Sequence, residues 1–166
     1  MAGSELAVII AGPSGSGKTT AGKALATKLE ATFLSKDLLK EAMYDEAWFR
    51  TEEDSRRLSA AAMRLLYSVA GVSACPLVVE ANWQAVDSEH LEALDRPLVV
   101  VLCSASPALR RQRLVERISS GERHPVHRDV INVAVLRQLL SETRRRWRCP
   151  LDLDCPSITV DTSVPP

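Results

Sequence analysis

An excess of charge of either sign is missing from this chain. Lys and Arg number 21, Asp and Glu number 21, and the formal net charge is zero. No overall basic field exists to hold nucleic acid non-specifically, so nucleic acid is not an expected partner. C-x-x-C spacing is also missing. Cys75, Cys103, Cys149 and Cys155 stand far apart, which leaves no zinc-type ligand set and suits reduced thiols in the cytoplasm. The stretch Met1 to Glu5 lacks the basic residues of a secretion signal, and the apolar run after it is short. No run approaches the length of a membrane span, so no membrane partner is expected. Repeats and low-complexity segments are absent as well.

What is present begins at Gly12-Pro13-Ser14-Gly15-Ser16-Gly17-Lys18-Thr19. The stretch fits G-x-x-x-x-G-K-[ST], in which glycines let backbone N–H groups turn inward onto phosphate oxygens. Pro13 has no N–H to give, and the other positions suffice. Lys18 can reach the β- and γ-phosphates, and the Thr19 hydroxyl can hold Mg²⁺. Upstream, Leu6 to Ala11 is apolar at every position, as in a strand buried on both faces of a parallel sheet. Downstream, Thr20 to Glu30 carries Ala21, Ala24, Leu25 and Leu29 at helical spacing. That helix aims its positive end at the same anion. Gly12, Ser14, Gly15, Ser16, Gly17, Lys18, Thr19 and Thr20 thus form a candidate nucleotide-binding set.

At 166 residues the chain is expected to be a single domain. Ala31 to Ser35 reads as the second strand, with Lys36-Asp37 at its carboxyl end, where ligands of open α/β sheets bind. Two roles are open for Asp37: a base or orienting group for an acceptor hydroxyl, and an N-cap for a helix from Leu38 to Ala47. Trp48 and Phe49 read as core packing in a chain that is only 4% aromatic, and Arg50 as a candidate for an anionic group of the acceptor. A longer helix is expected from Thr51–Asp54 to about Ala70, with Gly71 as its C-cap. Together the two helices read as an acceptor-binding insertion over about 38–71. Pro76 to Asn82 is the third strand. Glu80 can support the Mg²⁺ shell or pair with a Lys or Arg at the strand end. Asn82 can hydrogen-bond the acceptor.

Asp87 to Leu94 reads as a short connecting helix, and Pro97 to Leu102 as the fourth strand. Ser106-Pro107 supplies an N-cap and a first-turn proline for the next helix. On it, Arg110, Arg113 and Arg117 share a face by spacing. Placed after strand four, that face overlooks a nucleotide, where guanidinium groups stack on a base and bind phosphates. The segment at about 119–129, with Gly121 and Pro125 as breakers, reads as a lid that brings Arg123 onto the transferring phosphoryl group. His124 and His127 read as lid hydrogen-bonders rather than metal ligands. A long helix follows over Val130 to Trp147, then a Pro-bounded segment, then a fifth strand over Ser157 to Asp161.

The ordered set is the P-loop, Lys36-Asp37, Glu80-Ala81-Asn82, the arginine helix, Arg123-His124-Pro125 with His127, and Val160-Asp161-Thr162. It resembles the predicted small kinases of bacteria grouped with zeta-toxin-like and chloramphenicol-phosphotransferase-like P-loop proteins. Adenylate, shikimate and gluconate kinases are more distant relatives. The resemblance implies a three-layer α/β P-loop NTPase fold: a five-stranded parallel sheet in order 2-3-1-4-5, helices on both faces and a lid. It implies ATP and Mg²⁺, with Thr19 and Glu80 on the metal. Glu80 departs from the aspartate more usual there. It makes Asp37 the acceptor-activating acid. Arg113 takes the place of an arginine that stacks on adenine, and Arg117, four residues on, one that meets phosphate.

The expected reaction is transfer of the γ-phosphate of ATP to a hydroxyl of a small molecule, with Lys18, Arg117 and Arg123 stabilising the transferring charge. The rivals are a kinase acting on a polynucleotide 5′ hydroxyl and a nucleotide-dependent switch without an acceptor.

Overall fold

The computed structural model describes residues 6–46, 51–121, 124–127, 137–138, 141 and 147–164. Its strands are β1 (Ala7–Ala11), β2 (Thr32–Ser35), β3 (Leu77–Glu80), β4 (Leu98–Ser104) and β5 (Ser157–Asp161). Its helices are α1 (Lys18–Leu29), α2 (Lys36–Glu46), α3 (Glu52–Val72), α4 (Asp87–Glu92) and α5 (Pro107–Ser119). The sheet is parallel throughout, in the expected order β2-β3-β1-β4-β5.

Side chains alternate across the sheet, so the apolar runs feed two cores. Ala7, Ile9 and Ala11 pack with Leu66 and Ala70 of α3 and Leu91 of α4 on one face. Val8 and Ile10 pack with Ala26 of α1 on the other. β1 and β3 are buried at every position, which is why neither shows a polar face in sequence. Each fully buried Leu, Ile or Val in these layers stabilises the fold by about 1.5–3 kcal/mol. β5 lies at the sheet edge and is exposed along its length.

Register brings the strand ends to one level. Ser35 of β2 lies beside Glu80 of β3, and Glu80 beside Ile10 of β1. The residues just beyond, Asp37, Asn82 and the Gly12–Thr19 loop, therefore emerge together along one rim of the sheet.

Three local expectations change. α2 begins at Lys36, straight from β2, so Asp37 lies in its first turn instead of capping it. An acid there still favours the helix through the dipole. α3 does not end at Gly71. It runs to Val72 and leaves through an extended Ser73. No left-handed glycine is needed because Arg96 caps this end: Nη1 donates to the Ala70 and Ser73 carbonyls at 3.0 and 3.3 Å, and Nη2 to the Cys75 carbonyl at 2.8 Å. A side-chain cation on the last carbonyls satisfies the same groups and suits their partial charge. α4 is shorter than expected, ending at Glu92. The start of α5 is as read from sequence, with Ser106 Oγ accepting from the Leu109 N–H at 3.3 Å and Pro107 leading the helix.

Among the described residues no helix is long and apolar enough to cross a membrane. Arg50, Arg123, the pair Trp48 and Phe49, and most of the helix expected over Val130 to Trp147 lie outside the described residues.

Candidate functional site

Backbone geometry makes the loop between β1 and α1. Gly15 has φ +77°, in the left-handed region where a Cβ is strained. A Cβ there would also lie 2.6 Å from the Arg110 carbonyl oxygen. Gly12 is held by close approach: a Cβ would lie 2.7 Å from the Cys103 carbonyl oxygen. The loop is thus seated on the end of β4 and the start of α5. Gly15→Ala combines a disfavoured φ with a backbone collision and is expected to cost about 2 kcal/mol. A thermal melt and a nucleotide titration check it, and wild-type values in both would rule this packing out.

One cleft of about 200 Å³ lies over this loop. Ser14, Gly15, Ser16, Gly17, Lys18, Thr19 and Thr20 line it together with Asp37, Glu80, Asn82, Arg113 and Arg117. Residues singled out on four separate stretches of sequence therefore meet in one space. Gly12 supports the loop from below. Arg110 does not join the other two arginines: it is 3% exposed and lines a neighbouring hollow with Pro13, Cys103 and Trp147. The loop's seat against the Arg110 backbone puts it on the far side of the glycines.

Lys18 is buried, and its Nζ donates to the Pro13 carbonyl at 3.2 Å. Burial pulls its pKa below the usual lysine value, opposed by the carboxylates of Glu80 and then Asp37. Glu80 is 5% exposed. Burial pushes its carboxyl up, opposed first by Lys18 and then by the Ser35 hydrogen bond. Ser35 Oγ donates to Glu80 Oε2 at 2.9 Å, and Thr19 Oγ1 donates to the same oxygen at 3.4 Å. Desolvation thus acts on both partners at once, and each charge offsets part of the other's cost.

Asp37 Oδ1 pairs with Lys36 Nζ at 3.3 Å, and the same Nζ donates to Ser59 Oγ of α3 at 3.4 Å. Across the cleft, Arg113 Nη2 donates to the Thr162 carbonyl at 2.7 Å. Arg113 Nη1 is buried and has no hydrogen-bond partner among the described residues. It lies near Gly17, 3.5 Å from where a Cβ would be. A buried cationic donor left open beside a glycine-rich loop and a helix start fits an anion with many oxygens.

A divalent cation would find few ligands from the protein alone. Among the described residues no group of three or more His, Cys, Asp or Glu side chains comes together. Thr19 and Glu80, joined at 3.4 Å, fit an ion that takes its remaining oxygens from phosphates and water.

The turn Pro125–His127 is docked on α2 and α3. Ser55 Oγ donates to the Val126 carbonyl at 2.8 Å, Lys40 Nζ donates to Ser55 Oγ at 2.8 Å, and Val126 is fully buried. His127 Nε2 lies 2.7 Å from Glu41 Oε1, and His124 Nε2 lies 3.0 Å from Asp45 Oδ1. The two histidines therefore tie this turn to the carboxylates of α2.

Two residues of the site were not assigned a role from sequence. In sequence Ser35 is only a strand residue, yet its register opposite Glu80 makes it a donor to that carboxylate. Thr162 appears in Val160-Asp161-Thr162, but nothing local shows that its side chain reaches the loop after β1. The serine after the second apolar run was the available signal for the first. For Thr162 only the sheet order supplies one.

Among curated proteins no sequence match is found. Among solved structures, a provisionally assigned kinase of Chloroflexus aurantiacus j-10-fl is 34% identical, with a TM-score of 0.82 over 96% of this chain and 89% of that one. A gluconokinase of Sinorhizobium meliloti 1021 is 23% identical, with a TM-score of 0.51 over 96% of this chain and 83% of that one. A sugar kinase of Janibacter sp. HTCC2649 is 18% identical, with a TM-score of 0.50 over 96% and 86%. The latter two share the fold. The family model described as AAA domain matches residues 8–138. With its glycine loop, kinase-like P-loop fold and this match over most of its length, the chain belongs to the AAA domain family.

Proposed function

We propose that this protein is an ATP-dependent phosphotransferase that moves the γ-phosphate of ATP to a hydroxyl of a small molecule. The observation that carries the reading is the single cleft in which the phosphate-binding loop, Asp37, Glu80, Asn82, Arg113 and Arg117 stand together. Glu80, on the strand beside β1, suits any nucleoside triphosphatase; the additional acid, Asp37 from the end of β2 two strands from β1, is what transfer to an acceptor hydroxyl calls for. Similarity to a provisionally assigned kinase at 34% identity supports the same class. The narrower kinship with zeta-toxin-like and chloramphenicol-phosphotransferase-like kinases belongs to this proposal too.

In this reading the loop amides and Lys18 hold the triphosphate. Arg113 borders the base and Arg117 the phosphates. Asp37 accepts the proton of the acceptor hydroxyl as its oxygen bonds to the γ-phosphorus. The bond from that phosphorus to the β–γ bridging oxygen breaks, and ADP leaves. Mg²⁺, when bound, neutralises charge on the β- and γ-phosphates, with Thr19 and Glu80 holding its shell. Asn82 and Arg50 contact the acceptor. Residues 38–71 form the acceptor-binding part of one domain, and 119–129 close over it with Arg123.

A metabolite-library screen for ADP release tests the proposal, with Asp37→Asn as the control. The expected result is one class of hydroxyl compound that raises ADP release in the wild type and not in the variant. ATP consumption that no metabolite raises above its basal rate would favour the switch instead.

A further inference from the structure

The turn that follows β5 touches the phosphate-binding loop through Thr162. Thr162 is 9% exposed. Its Oγ1 lies 2.5 Å from the Ser16 carbonyl and 2.8 Å from the Ser104 carbonyl. Its N–H donates to the Ser104 carbonyl at 2.8 Å. Its carbonyl accepts from Arg113 Nη2 at 2.7 Å. The turn itself is braced by the Ser163 N–H on Asp161 Oδ1 at 2.9 Å.

We propose that Thr162 is a positioning residue for the nucleotide. Its hydroxyl holds the Ser16–Gly17 segment in the shape that binds phosphate, and its carbonyl sets Arg113 at the edge of the same segment. The inference rests on the reading of the cleft as an ATP site and adds a residue and a coupling to it.

The chemistry follows from donor counting. A hydroxyl has one proton for the two carbonyls it faces. Ser104 already accepts from the Thr162 N–H, so the proton is most needed at Ser16. Gly17, the next residue, has φ +79° and caps the start of α1. A carbonyl fixed at Ser16 orients the peptide plane that carries the Gly17 N–H, one of the loop donors. On the other side, Arg113 Nη2 is committed to the turn, which leaves buried Nη1 facing Gly17. One residue thus joins the two parts of the grip.

The experiment uses the full chain and two probes, inorganic tripolyphosphate and a non-hydrolysable ATP analogue, titrated by calorimetry below the melting transition. Thr162→Val keeps the shape and removes the donor. It is expected to weaken both probes about tenfold, the loss expected of one buried hydrogen bond left unmade. Thr162→Ser restores the donor and is expected to bind both within about twofold of wild type. A purely structural role would lower the melting temperature of Thr162→Val without changing these affinities, and wild-type affinities in a folded Thr162→Val overturn the proposal. Should that variant not fold, hydrogen exchange in the wild type decides. Tripolyphosphate is expected to slow exchange over 157–164, and unchanged exchange there overturns the proposal. Lys18→Ala separates the two readings. If it keeps wild-type affinity for tripolyphosphate, the nucleotide site itself is misassigned. If it loses that affinity while Thr162→Val does not, only the role of Thr162 fails.

Discussion

Lys18→Ala is expected to weaken binding of a non-hydrolysable ATP analogue by about a hundredfold or more. Two losses add. The first is the proposed charge-assisted contact of the buried Lys18 with the phosphates; removing one partner of such a buried pair costs about 2–5 kcal/mol, and about 2.8 kcal/mol already corresponds to a hundredfold. The second falls on Glu80. Lys18 is the strongest influence holding that carboxyl down against burial, so without it Glu80 is driven further toward its neutral form. A neutral Glu80 is a poorer partner for a metal shell. The free protein also forgoes the Lys18 hydrogen bond to the Pro13 carbonyl, which lies outside the cleft and makes a smaller contribution. Calorimetry in the presence and absence of Mg²⁺ checks both parts, with a thermal melt to show that the fold survives. Equal affinity in variant and wild type would remove the cleft from consideration as a triphosphate site.

Asp37→Asn is expected to lower kcat by about 10²–10⁴, the range for loss of a positioned general base, while ATP affinity stays within about twofold. The asparagine keeps the size of the side chain and loses its charge. Asp37 lies in the first turn of α2 and lines the same cleft as the loop glycines. Lys36 Nζ lies 3.3 Å from its Oδ1, and a carboxylate is the group that accepts the hydroxyl proton. The substitution takes the charge from the Lys36 partner and keeps the Lys36 hydrogen bond to Ser59 Oγ, so a modest fall in stability is expected as well. Steady-state kinetics with the acceptor found by screening separate the effects: a fall in kcat with an unchanged KM for ATP supports the role, and undiminished turnover refutes it. The two variants are complementary. Lys18→Ala reports on the donor half of the reaction, and Asp37→Asn on the acceptor half.

Much of the frame was legible because it is local. The loop pattern occupies eight consecutive positions, and its neighbours carry the unbroken apolar run of a buried strand and the spacing of a helix. Ser106-Pro107 announced the start of α5 for the same reason, since capping depends on residues three positions apart. The C-terminal end of α3 was not legible. Gly71 is a good local signal for a stop, and a guanidinium from Arg96, brought alongside by the turn into β4, replaced it. The arginine helix was legible in part. Spacing placed Arg110, Arg113 and Arg117 on one face, but the seating of the glycine loop on the Arg110 backbone separates the first from the other two.

The sequence by itself determined the phosphate-binding loop, the strand and helix flanking it, the parallel α/β class and the position of Asp37 at the carboxyl end of the second strand. Each is encoded in a short window, where steric rules and burial patterns act on neighbouring residues. Only the tertiary structure decided which distant groups support the residues of the cleft. Ser35 meets Glu80 across 45 positions, and Thr162 meets Ser16 across 146. Both contacts are products of strand order and register, since parallel strands end at a common level whatever their separation along the chain.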